Sequence, residues 1–251
     1  MHLLLPESRP DLSDADLLDL YAWPEGRRYL RANMVATIDG AVRGPDDTAE
    51  TISNPDDKRV FKLLRHTSDA VIIGAGTVAT EGVGPIPVPE EARHRRAERG
   101  QAPRPTLVVV SNRASLPPTA RAVTGERGAS TLMVVAGAAD PGRVEDLRGV
   151  CEVLVLGDDT VDLPALLDEL AERGLTRLLS EGGPTLLAAL LPHLDELCLS
   201  TVPQLLGAVP GQPPRPTPDL LGGHVVAPRS ARLGHLIVAK DTLLASWRFD
   251  F

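Results

Sequence analysis

The sequence predicts an α/β fold: a mostly parallel central sheet flanked by helices, with an antiparallel C-terminal hairpin. Short apolar runs of strand length alternate with helical patterns along most of the chain, as expected of parallel strands joined by crossover helices. Toward the C-terminus strand patterns follow one another directly, and the last two meet at Lys240-Asp241 as a hairpin. A hydrophobic content of 43% over 251 residues is enough for a full core.

Residues 1–26 read as a lead-in segment and 27–251 as a single domain. In the lead-in, Ser13-Asp14-Ala15-Asp16 makes a capping-box pattern ahead of Leu17, Leu18 and Leu20, so a short helix begins there. Residues 27–36 form the first core strand, which the turn Ile38-Asp39-Gly40 breaks. Asn54-Pro55-Asp56-Asp57 combines a cap, a proline at the first helical position and acids in the first turn. That helix turns Val60, Phe61, Leu63 and Leu64 inward and ends near His66. Residues 70–73 make a short buried strand. Residues 82–105 are rich in Gly, Pro and charge. Within them 90–99 is helical, and its Arg93, Arg95, Arg96 and Arg99 read as a solvated face. Strands follow at 106–111, 132–136 and 153–156, then a helix over 162–173 stopped by Gly174 and a strand over 175–180. After a further helix to about Leu191, residues 196–202 are a strand and 204–222 a Pro/Gly-rich loop. Strands at 224–227, 233–239 and 242–249 complete the chain.

A formal net charge of −8 argues against nonspecific nucleic-acid binding, which requires a basic face. Cys151 and Cys198 lie in apolar runs and read as buried thiols, in keeping with a reducing, cytoplasmic setting. The N-terminus has no basic region followed by a long apolar run, and no apolar run reaches membrane-spanning length. Metal spacing, a zinc deaminase H-x-E with P-C-x-x-C, a G-x-S-x-G elbow and a Walker lysine loop are all missing, so no metal is expected. His66, His94, His193, His224 and His235 are scattered and read as structural.

Two glycine turns carry the candidate chemistry. Leu178-Leu179-Ser180-Glu181-Gly182-Gly183-Pro184-Thr185-Leu186 ends a strand on a carboxylate, turns at two glycines and opens a helix on proline. Backbone N–H groups at such a helix start suit a phosphate, so the turn offers a carboxylate beside a diphosphate cradle. A plain capping turn explains the same residues. Gly74-Ala75-Gly76-Thr77-Val78-Ala79 matches G-x-G-x-x-A after a strand, but Gly82, Gly84, Pro85 and Pro87 leave room for only a turn or two of helix. A Rossmann unit needs a long crossover helix, so the match does not predict one. Asp39 is either a turn-favouring acid before glycine or a carboxylate at a strand end. Arg65 and Arg113 are either functional cations or ordinary surface and helix-end arginines.

Glu181-Gly182-Gly183-Pro184-Thr185-Leu186, with the blocks 34–40 (Met-Val-Ala-Thr-Ile-Asp-Gly), 68–77 and 194–207, resembles the riboflavin-pathway pyrimidine reductases. These are the reductase domains that follow a deaminase in bacteria, and they belong to the dihydrofolate-reductase-like superfamily. The blocks fall in the family's order over roughly residues 30–210. The resemblance implies a dihydrofolate-reductase-like fold, NADPH as cofactor, homodimerisation and hydride transfer to a small-molecule pyrimidine, namely 5-amino-6-(5-phosphoribosylamino)uracil or a relative. A dihydropterin reductase, and a nucleotide-binding regulatory protein of the same fold, are the alternatives. The resemblance further implies that Asp39, as the catalytic acid, binds substrate together with Arg65 and Glu181. It places Ala36, Gly74, Gly76, Thr77, Glu81, Ser111, Arg113, Gly182, Gly183, Pro184, Thr185 and Leu186 at the cofactor, with Ser111 and Arg113 toward its 2′-phosphate. One departure stands out. Where the family carries Asp-Asp-Pro-x-Leu-Thr-x-Arg, residues 81–88 put Gly82 at the second acid and Val88 at the arginine. Loss of that arginine implies weaker binding of a phosphoribosyl substrate, unless a basic residue such as Arg93 replaces it.

Overall fold

The structure, a computed structural model, describes residues 1–125, 130–207 and 219–249. Ten strands among these residues form one sheet. They are β1 (His2–Leu5), β2 (Tyr29–Thr37), β3 (Ala70–Gly74), β4 (Thr106–Ser111), β5 (Thr131–Val135), β6 (Glu152–Val155), β7 (Arg177–Ser180), β8 (Glu196–Val202), β9 (Ala231–Ala239) and β10 (Thr242–Phe249). Across the sheet the order is β1-β9-β10-β8-β2-β7-β3-β4-β5-β6. The run from β8 to β6 pairs in parallel. Strands β10, β9 and β1 extend it antiparallel, and β9 and β10 are the expected hairpin.

The helices are α1 (Asp14–Leu20), α2 (Pro55–Thr67), α3 (Ala75–Glu81), α4 (Glu90–Glu98), α5 (Arg121–Thr124), α6 (Pro141–Arg148), α7 (Leu163–Glu172) and α8 (Pro184–Leu190). They cover both faces, which is why the parallel strands are apolar on both sides. Val71 and Ile73 of β3 join Leu17, Val60, Leu64 and Leu147 in one core. Ala70 and Ile72 join Leu166, Leu167, Leu170, Leu187 and Leu190 of α7 and α8 in the other. No helix among the described residues is long and apolar enough to cross a membrane.

The cap signals act as read. Ser13 and Asp16 make the reciprocal capping box of α1, and Asn54 accepts from the Asp56 and Asp57 N–H groups at the start of α2. Helix α3 lasts two turns and stops at Gly82, which adopts the left-handed φ of 63° that a side chain disfavours.

Several readings need correction. The lead-in holds β1, an edge strand paired with β9 that four residues of pattern could not announce. Helices α5 and α6 were not expected. Residues 224–227 form no strand: the Asp219 carboxylate accepts the Leu221 and Gly223 N–H groups, and this turn prevails over the local Val225-Val226 preference. Of the 204–222 loop, residues 208–218 lie outside the described residues. Arg96 is not on a solvated face. It is 1% exposed and donates to the carbonyls of His66, Ser68 and Ala102, and burial lowers its pKa to about 10. Cys198 is buried as read, whereas Cys151 is only half-buried; both are free thiols.

Candidate active site

The carboxyl ends of β3, β4 and β7 point one way, where open α/β sheets bind ligands. The two glycine turns meet there. Glu181 N–H bonds to the Ile72 carbonyl, Gly74 N–H to the Gly182 carbonyl, and Gly183 N–H to Thr77 Oγ1, at 3.0, 2.9 and 3.1 Å. Gly182 has φ 71°, and a Cβ on it would come 2.8 Å from Met34 Sδ. A Cβ on Gly183 would come 2.6 Å from Thr77 Oγ1. Both glycines are therefore demanded by close approach. Because Thr77 engages the Gly183 amide, the N–H groups left at the start of α8 are those of Thr185 and Leu186.

Beside these turns lies a cavity of about 780 Å³. Gly74, Gly76, Thr77, Ser111, Arg113, Gly183, Pro184, Thr185 and Leu186, all expected at the cofactor, line it. A Cβ on Gly76 would meet nothing within 4 Å, so its backbone borders open space. At the β4 end Ser111 Oγ accepts the Ser115 N–H at 3.0 Å, which fixes the turn that carries Arg113. The cavity wall also contains Arg43 and His224, which the sequence did not single out. Among the described residues that line it there is no carboxylate, in a chain of net charge −8. Two arginines and an imidazole in a wall without a carboxylate among its described residues suit an anion.

The remaining expected residues are placed elsewhere. Glu81 Oε1 accepts the Ala49 N–H and ties a loop to α3. Ala36 and Gly182 lie behind the cavity wall, Ala36 in the α7–α8 core and Gly182 against Met34. Arg65 and Glu181 face each other in a bidentate pair at 2.5 Å, with 17% and 5% of their side chains exposed. The Arg65 guanidinium also lies 4.1 Å from the centre of the Phe61 ring. Asp39 is not beside them. Ala32 pairs with Ser180, so Glu181 emerges next to Asn33, well before Asp39 along the chain. Asp39 accepts the Thr37 hydroxyl on one oxygen and the Leu206 and Gly207 N–H groups on the other. The Thr37 bond and these amides hold its carboxyl below the usual range. Val88 is 5% exposed in the core, where an arginine would be unpaired, and Arg93 is exposed on α4.

The family model described as RibD C-terminal domain matches residues 28–232. The chain belongs to the RibD C-terminal domain family. A 2,5-diamino-6-ribosylamino-4(3H)-pyrimidinone 5′-phosphate reductase of Archaeoglobus fulgidus is 35% identical over 183 residues, covering 72% of this chain and 83% of that protein. The protein of the same name from Methanothermobacter thermautotrophicus is 34% identical, with 72% and 80% covered. A pyrimidine reductase-like protein of Corynebacterium diphtheriae has the same fold, with a TM-score of 0.82 at 21% identity over 94% of this chain and 98% of that one. The RibD-family resemblance read from the four sequence blocks is borne out, and with it the α/β fold.

Proposed function

We propose that this chain is an NADPH-dependent reductase of riboflavin biosynthesis, acting on 5-amino-6-(5-phosphoribosylamino)uracil or on the diamino-pyrimidinone ribosyl phosphate named for its 35%-identical relative. One observation carries the reading: a cationic cavity with no carboxylate among the described residues that line it, built on two interlocked glycine turns, in a chain of this family. When bound, the reduced nicotinamide supplies the hydride that the electron-poor C1 of a ring-opened ribosyl group accepts.

The chain's own residues bind and orient. The Thr185 and Leu186 amides and the Gly74–Thr77 turn hold the diphosphate. Ser111 and Arg113 take the 2′-phosphate end, which favours NADPH over NADH. Arg43 adds charge from the cavity wall. On the substrate side, Arg65 fixes the Glu181 carboxylate and leaves two of its lone-pair positions open to a pyrimidine N–H edge. The Leu206 and Gly207 amides that bond to the Asp39 carboxylate hold the 204–207 loop in place beside it. With Val88 buried, the substrate phosphate must find its cation outside residues 81–88. The 35% identity to a phosphate-substrate reductase favours a phosphoribosyl substrate all the same. Homodimerisation and a cytoplasmic location belong to the same reading.

Anaerobic mixing with NADPH and each pyrimidine phosphate, following absorbance of the reduced nicotinamide, tests it. The expected outcome is substrate-dependent oxidation of NADPH at micromolar substrate. Oxidation with dihydropterin alone would overturn the substrate, and no oxidation with any of them would leave a binding protein of the same fold.

A further inference from the structure

The turn from Asp219 to His224 is fastened onto the start of α8 from outside the cradle. Its own backbone is set by the Asp219 carboxylate, which accepts the Leu221 and Gly223 N–H groups at 2.9 and 3.1 Å. Leu220 and Leu221 pack against the α7–α8 core. Gly222, at φ 62°, approaches so closely that a Cβ there would lie 2.9 Å from Pro184 Cβ. These contacts place the His224 ring in the cavity wall, with Nε2 3.1 Å from Thr185 Oγ1.

We propose that His224 is a positioning residue for a phosphate of the bound dinucleotide. Its Nε2–H donates to Thr185 Oγ1, so the proton of that hydroxyl is turned to the ligand. In its protonated form the ring adds a third positive charge to Arg43 and Arg113. The inference rests on the reading of the cavity as the NADPH site. Among the described residues the charged groups around the ring are few. Arg43 and Arg113 share the cavity wall with it, and Asp219 interacts with it from its own turn. Helix α8, against which the ring lies, carries no titratable side chain. A diphosphate bound beside the ring favours its protonated form, so binding should tighten as pH falls.

The test is titration of NADPH fluorescence at pH 6 and pH 8 with the wild type, His224→Ala, His224→Gln, Thr185→Val and the His224→Ala/Thr185→Val double variant. Loss of one charge-assisted contact predicts about tenfold weaker binding for His224→Ala at pH 6 and about threefold at pH 8. His224→Gln keeps an N–H donor and should match the wild type at pH 8 while lacking the gain at pH 6. At pH 8 the double variant should bind no more weakly than Thr185→Val, because both changes remove one arrangement. The cofactor's 2′-phosphate titrates in every protein and cancels in the ratios. Wild-type affinity in His224→Ala at both pH values, or additive losses in the double variant, would overturn the role of His224 and leave the NADPH site standing. If the wild type binds no NADPH, the reading of the cavity fails and this inference fails with it.

Discussion

Two arginine–carboxylate pairs stand on the α1–α2 side of the sheet, one between the parallel neighbours β2 and β8 and one just past the end of β7. Arg31 and Glu196 pair at 2.7 Å, each 1% exposed. Arg31 also donates to the Tyr21 and Ala22 carbonyls and lies 4.2 Å over the Trp23 ring, while Glu196 accepts from Tyr29 and Ser246. Burial pushes the Glu196 carboxyl upward, but Arg31 and Ser246 outweigh it and leave it below its ordinary value. Arg65 and Glu181 are the same chemistry with fewer partners. The carboxylate meets the guanidinium alone, with 5% of its side chain exposed. The difference is one of engagement: Glu196 accepts from three side chains in a sealed cluster, whereas Glu181 accepts from Arg65 alone and keeps acceptor positions that a ligand would use.

Breaking the sealed pair should have the largest effect. Arg31→Met strands a buried carboxylate and should cost about 3–5 kcal/mol in denaturant unfolding, with part recovered in the Arg31→Met/Glu196→Leu double variant. A loss under about 1 kcal/mol would mean that the cluster does not depend on Arg31 as described. The open pair should respond in activity. Glu181→Gln should lower kcat/KM on the pyrimidine phosphate about 100-fold, near 2.7 kcal/mol, with NADPH affinity held within about twofold. An equal loss of both would move Glu181 to the cofactor.

Acid should also separate the two regions. His235 packs edge-on against Tyr21 at 4.6 Å, is 2% exposed, and has no hydrogen-bond partner for Nε2. Burial lowers its pKa from 6.5 to about 4. Above 6.5 the ring is neutral in both folded and unfolded chains. As pH falls from 6.5 toward 4 only the unfolded chain takes up the proton, so stability declines by about 2 kcal/mol at pH 5 and levels off below 4. Unfolding curves at pH 7.5 and 5 check this, and His235→Leu should remove most of the difference. The smallest effect expected is on the cradle. Gly183→Val drives a side chain into Thr77 and breaks the Gly183 amide bond, which should weaken NADPH about tenfold by calorimetry. Unchanged affinity in a folded variant would remove this turn from the cofactor site.

What the sequence disclosed was mostly local. Caps at Ser13 and Asn54, the strand runs and the glycine turns each carry their signal within a few residues. What it withheld depends on distant partners. Asp39 is held by amides 167 and 168 positions away, and β1 exists through its pairing with β9. Arg43 and His224 reach the cavity from loops with no pattern of their own. Arg96 was legible after all. It follows Ala92 by four residues, so the two share a helix face, and Ala92 is buried. A count of arginines conceals that, whereas their spacing reveals it.

The interlocked turns at 74–77 and 181–183 have a further consequence for how the pocket meets its ligand. Two hydrogen bonds join them and a third ties Glu181 to Ile72 before anything binds, so the loss of backbone freedom in this bed occurs when the chain folds and not when a ligand arrives. Association then finds a preformed floor. Any tightening on contact falls to the parts that the floor does not hold, the loop bearing Arg43 and the turn bearing His224, and exchange of their amide hydrogens should slow on binding while that of the floor stays as it was.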